Sequence, residues 1–165
     1  MEPNNGVNAG LYLAAFLSEL QLPAHAKTYF TFIQNQLFGD TRGNRLNLAF
    51  SDEITGELTL NAGKFSYSSH GEGMIGFSMR YPVTYDWEAN KLKLELELPD
   101  FTVVTNSHST PHYVDSDSFL IQTLKRVYEE ETGDQAELLS IGGGTYARSL
   151  KEGVAFGPLF PGSED

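Results

Sequence analysis

The chain has 165 residues, 40% of them hydrophobic, no cysteine and a formal net charge of −11. That length supports a real core, burying about 70% of the unfolded chain's surface as one compact domain or two small subdomains. The acid excess argues against nucleic acid or an anionic membrane as partner, because phosphate contacts need a surplus of Lys and Arg, and the lack of cysteine excludes disulfides and thiolate zinc sites and fits a reducing cytoplasm.

Met1 stands directly before a Pro3-Asn4-Asn5-Gly6 turn, without the basic and apolar regions of a secretory signal. The longest strongly apolar stretch, Leu11 to Leu17, is too short to span a bilayer. Val7, Leu11, Leu13, Ala14, Leu17 and Leu20 recur at helical spacing, so residues 7–20 read as an amphipathic helix capped by Asn5 or Asn8 and ended by Leu22-Pro23. A second helix is expected from about Ala24 to Leu37, before the break Gly39-Asp40-Thr41-Arg42-Gly43. From Leu46 to Val83 the apolar period becomes two, which predicts an antiparallel meander. In its last strand Ile75, Phe77, Met79 and Tyr81 share one face and Arg80 lies on the other.

Residues 85–98 are two-sided. Leu92, Leu94, Leu96 and Leu98 alternate like a strand, yet Lys, Glu and Leu are helix formers, and Thr84 or Asp86 as cap with Pro99-Asp100 as stop favours a helix. Phe101 to Thr105 then reads as a strand. A helix capped by Ser116 or Asp117 is expected through Glu130, with Phe119, Leu120, Thr123, Leu124, Val127 and Tyr128 inward and Gly133 as its stop. Leu138 to Ile141 and Val154 to Phe156 read as short strands, and the chain stops in a loop, Gly157 to Asp165. Both ends read as cut points within a longer chain. The element order predicts an α+β fold, an antiparallel sheet with helices packed on one face.

Candidate sites compete with plainer readings. Gly142-Gly143-Gly144-Thr145, with Arg148 close by, offers bare backbone N–H groups and a guanidinium to an anion; the plain reading is a turn with a surface Arg. No Lys-Ser/Thr follows the glycines, so this is not a phosphate-binding P-loop. Gly71-Glu72-Gly73-Met74-Ile75-Gly76 matches a dinucleotide fingerprint only in letters, because a strand follows it; it reads as a hairpin turn. His108 and His112 have zinc-ligand spacing, but Thr110-Pro111 between them forces extended backbone. His25 and His70 read as local residues at a helix start and a turn. Asp115, Asp117 and the run Glu129-Glu130-Glu131 read as a cap and a solvated helix face rather than calcium or acid/base groups. No metal site is expected in this chain.

Six tracts occur in a particular order: Gly6-Val7-Asn8-Ala9, Arg80-Tyr81-Pro82, Pro111-His112-Tyr113-Val114, Gln122-Thr123-Leu124, Ile141 to Arg148, and Gly153-Val154-Ala155-Phe156-Gly157. Together they resemble the dinuclear zinc dipeptidases of the PepV or Xaa-His type over almost the whole chain. The resemblance implies a ferredoxin-like lid domain over residues 1–114. Residues 115–165 would return toward the catalytic domain of the same parent chain, packed on the same core. It implies that Arg80 grips the C-terminal carboxylate of a dipeptide and that Gly142, Gly143, Gly144, Thr145 and Arg148 line the same end of the substrate. The family's two zinc ions, their ligands and the general base have no counterpart here, so no catalytic residue is assigned and the chain alone is expected to be inactive. Ser78 and Met79 before the Arg, and Tyr146 where acids occur in the wider clan, leave substrate choice open. The competing reading is a free-standing α+β interaction or small-ligand-binding module.

Overall fold

The computed structural model describes residues 3–157. The fold is α+β, with four α-helices and two small antiparallel sheets among those residues. The chain divides into two compact units, residues 1–109 and 110–165.

In the first unit, helix α1 (Ala9–Glu19) starts at Asn8. The Asn8 side chain accepts from Leu11 N at 3.3 Å, which satisfies one of the free helix-end amides. Its Nδ2 donates to Ala62 O at 2.7 Å, so the same residue ties the helix start to the sheet. Helix α2 (Ala24–Phe32) does not continue as α to residue 37. Ile33–Leu37 widen into a π-turn, closed by Phe38 N donating to Ile33 O at 3.1 Å. The wide turn puts both Ile33 and Leu37 fully into the core, and Arg45 Nη1 donates to the carbonyls of Asn35 (3.1 Å) and Phe38 (2.9 Å) at its end.

The expected single meander is instead two two-stranded sheets: β1 (Ser51–Asp52) with β2 (Gly56–Glu57), and β3 (Thr59–Tyr67) with β4 (Gly73–Arg80). Asp52 explains the break. Its carboxylate accepts from Ile54 N, Thr55 N and Thr55 Oγ1, and also from Thr84 N and Oγ1, so it folds β1 into a tight knot with the chain after β4. Burial raises the Asp52 pKa, but the donors from Thr55 and Thr84 outweigh it and hold the carboxyl down at about 2.

The β3–β4 register shifts between Ala62 and Lys64. The bulge at Gly63 keeps Leu58, Leu60 and Ala62 on the same face as Phe65 and Tyr67, which strict alternation would have split. That face meets α1 and α2 in a core of Leu11, Ala14, Tyr29, Ile33, Leu37, Leu46, Leu48, Leu58, Leu60, Ala62 and Tyr85. Of the β4 apolar set, Ile75 and Met79 pack on this core, as does Tyr81 just beyond the strand, whereas Phe77, opposite the small Ala62, is left exposed.

Residues 85–98 hold a helix, α3 (Trp87–Glu97), capped by Asp86, which accepts from Ala89 N at 3.0 Å. The alternating leucines are two opposite faces of it: Leu94 and Leu98 pack on the core, while Leu92 and Leu96 face away, exposed. The strand expected at Phe101 to Thr105 does not form. Phe101 instead packs its ring on Phe32 at 4.4 Å, and its backbone turns with Phe101 N donating to Leu98 O.

In the second unit, helix α4 (Phe119–Thr132) is capped by Ser118, whose Oγ accepts from Ile121 N at 3.3 Å, rather than by Ser116 or Asp117. Those two residues are used in a preceding turn, in which Asp117 N donates to Asp115 Oδ1 and Ser118 N to Asp115 O. Gly133, at φ +76°, ends the helix as expected. Inward burial is corrected: Ile121 is the buried residue of α4, while Phe119 is 88% exposed and Val127 is exposed too. Leu138 to Ile141 and Val154 to Phe156 are not strands, having no ladder partner among the described residues. The expected terminal loop lies outside the described residues from position 158 on. No described helix is long and apolar enough to cross a membrane.

Candidate substrate-binding elements

Arg80 is the last residue of β4, paired with Thr59. Pairs on one face of an antiparallel ladder point the same way, so the sets Leu60/Met79 and Phe65/Ile75 fix the core face and Arg80 stands with Thr59 on the other. Its side chain is half-buried and makes no ion pair or hydrogen bond with a described residue. Among the described residues the guanidinium therefore serves no partner there.

The glycine loop belongs to the second unit. Gly142 and Gly143 form a bend, and Thr145 precedes a single 3-10 turn, Tyr146–Ser149, in which Arg148 N donates to Thr145 O at 3.3 Å. The Arg148 side chain folds back over Gly144: a Cβ there would lie 2.5 Å from Nη1 and 3.1 Å from Cδ. A side chain at Gly144 would push that exposed guanidinium aside, whereas a Cβ on Gly143 would meet nothing. The fold thus brings Gly144 and Arg148 together, with Arg148 exposed and Tyr146 fully so, at 99%. Arg80 and this loop belong to different compact units.

The histidines are accounted for locally. His108 Nε2 lies 2.5 Å from the Tyr81 hydroxyl, and His112 Nε2 lies 2.6 Å from Gly153 O. His25 stacks on Tyr67, and His70 N donates to Ser68 Oγ. Among the described residues no group of three or more His, Asp or Glu side chains could hold a metal ion. Gly71 to Gly76 forms the hairpin turn and the start of β4, with Ser68 N donating to Glu72 O and Gly71 N to Ser68 O. Sequence reasoning missed the packing of Tyr81, Trp87 and His108, whose only signal was three aromatic residues in turn-rich tracts.

No protein-family model matches the chain. The chain is similar over its whole length to curated bacterial proteins named as dipeptidases. It is 47% identical over 165 residues to "Putative dipeptidase YtjP" of Bacillus subtilis, covering all of this chain and 35% of that protein. It is 39% identical over 167 residues to a protein of Staphylococcus saprophyticus and 38% identical over 167 to one of Staphylococcus aureus, each also named "Putative dipeptidase" and each covered to 36%. The chain thus spans about a third of the length of the curated relatives it matches, and every residue of it takes part in the match.

Proposed function

We propose that this chain is the substrate-positioning part of a dipeptidase, built to hold a dipeptide by its free C-terminal carboxylate. The observation that carries the reading is the unbroken 47% identity to a protein named as a dipeptidase and about three times as long. The geometry of Arg80 supports it: a guanidinium on the non-core face of a paired strand, with no partner among the described residues, is suited to a bidentate bond with a carboxylate. Gly142, Gly143, Gly144, Thr145 and Arg148 would line the same end of the substrate. Gripping the substrate away from the scissile amide orients that bond for the reaction and sets a fixed length, which favours dipeptides.

In this reading residues 1–114 act as a lid and residues 115–165 lead back to the catalytic domain of the same parent chain. The large exposed apolar side chains of the second unit, Phe119, Leu139, Ile141 and Leu150, support that, being suited to burial against further protein. The two zinc ions implied by the resemblance do not fit the described residues, so their ligands would lie elsewhere in the parent and no step is assigned through them. A cytoplasmic location belongs to the same reading, supported by the cysteine-free sequence.

The test is a chimera in which this chain replaces the matching third of the Bacillus subtilis relative. The chimera should hydrolyse dipeptides, and Arg80→Ala should raise KM or lower kcat/KM about 10- to 100-fold, the worth of a lost charged hydrogen bond. Arg80→Lys should recover only part, as a point charge lacks the planar fork. A chimera that turns over dipeptide amides as well as free dipeptides, or that ignores Arg80→Ala, overturns the reading.

A further inference from the structure

Residues 99–109 have no regular secondary structure, yet they belong to the first unit. Their near end is held by Phe101, through its ring on Phe32 and its amide on Leu98 O. No backbone hydrogen bond to a described residue holds 102–109. What holds the far end is His108. Its ring lies 5.1 Å from that of Trp87 and 6.0 Å from that of Tyr81, each within 18° of parallel, and Tyr81 and Trp87 stack on each other at 6.0 Å and 6°. The Tyr81 hydroxyl and His108 Nε2 complete the contact at 2.5 Å. The three rings come from the residue after β4, the first turn of α3 and the irregular segment. Tyr85, in the core, backs Tyr81 at 5.1 Å. The shelf of Tyr81 and Trp87 is thus anchored in the fold, whereas His108 is exposed and, among the described residues, is the one member of 104–109 with a side-chain hydrogen bond or ring contact.

We propose that His108 is a clasp: residues 99–109 form a strap, anchored at Phe101 and closed at its far end by the His108 side chain, and release of the imidazole frees 104–109 and uncovers the Trp87 ring. Offset parallel rings at these separations attract each other, and the hydroxyl fixes the orientation of the imidazole. Closing orders only a short stretch of backbone, so the balance between closed and open strap is sensitive to a single side chain.

The experiment is direct, because Trp87 is the one tryptophan of the chain. In the 165-residue protein, proton NOEs should connect the His108 imidazole with the Trp87 indole, and acrylamide should quench the Trp87 emission weakly. His108→Ala should lower the closed-to-open ratio roughly two- to tenfold, seen as stronger quenching and as reduced heteronuclear NOEs at amides 104–109, with β4 and α3 shifts retained. His108→Phe, which keeps the stack without the hydrogen bond, should restore most of the shielding. Absence of the His108–Trp87 NOEs in the unsubstituted chain overturns the proposal without recourse to any variant. So does a His108→Ala protein whose quenching and 104–109 dynamics match those of the unsubstituted chain.

Discussion

Single side chains do much of the joining between distant parts of this fold. Asp52 accepts five hydrogen bonds from within its own turn and from Thr84, 32 positions on, and Asp40 gathers Arg42 N, Gly43 N, Asn44 Nδ2 and Arg45 N around one carboxylate. In both cases burial pushes the pKa up and the donors prevail, leaving it below the ordinary value. A carboxyl with a folded pKa below its unfolded one, near 4, contributes stability that is complete above about pH 4. For Asp52 that contribution is lost as pH falls toward about 2. Asp52→Asn should therefore lower the urea midpoint at pH 7 and flatten its fall between about pH 4 and pH 2 relative to the unsubstituted chain. Midpoint curves that run parallel would show that the knot is not sensed by stability. Nothing in the local sequence marked Asp52, because two of its five hydrogen bonds come from Thr84, beyond β4.

Among the elements, α3 and the β3–β4 hairpin show how one pattern serves two geometries. A step of two residues is an alternation along a strand but about 200° of rotation around a helix, so leucines at every second position label two opposite helix faces as readily as one strand face. Burial separates the two: Leu94 packs on the core and Leu92 is exposed. Leu94→Gln should cost about 1–2 kcal/mol in chemical unfolding, while Leu92→Gln should stay within about 0.5 kcal/mol, since Gln is itself a good helix former. Equal effects at the two sites would contradict the helix. In the hairpin the reverse happens. Strict alternation fails at Gly63, and the bulge restores the apolar face that a count by twos would have lost.

At the scale of the molecule the two units are unequal. The buried hydrophobic cluster lies within the first, whereas among the described residues of the second only Ile121 is a buried large hydrophobic. With one buried large hydrophobic among its described residues, such a segment cannot offset the backbone entropy of about 1–2 kcal/mol per residue that folding costs. Residues 1–109 expressed alone should unfold in one cooperative urea transition, and residues 110–165 alone should show none. A cooperative transition in the shorter piece would mean that it carries a core of its own. By itself the sequence determined the α+β class, helices α1 and α4, the start of α2, the hairpin turn and the face on which Arg80 stands, because periodicity is local and follows from which side chains must leave water, but it left 85–98 open between helix and strand. Tertiary structure alone decided the π-turn that seats Leu37, the division into two sheets, the bulge at Gly63, the cap at Ser118 and the docking of His108. Each of these depends on a partner far away in the chain or on a competing local bond, and spacing along the sequence carries no record of which residues will meet.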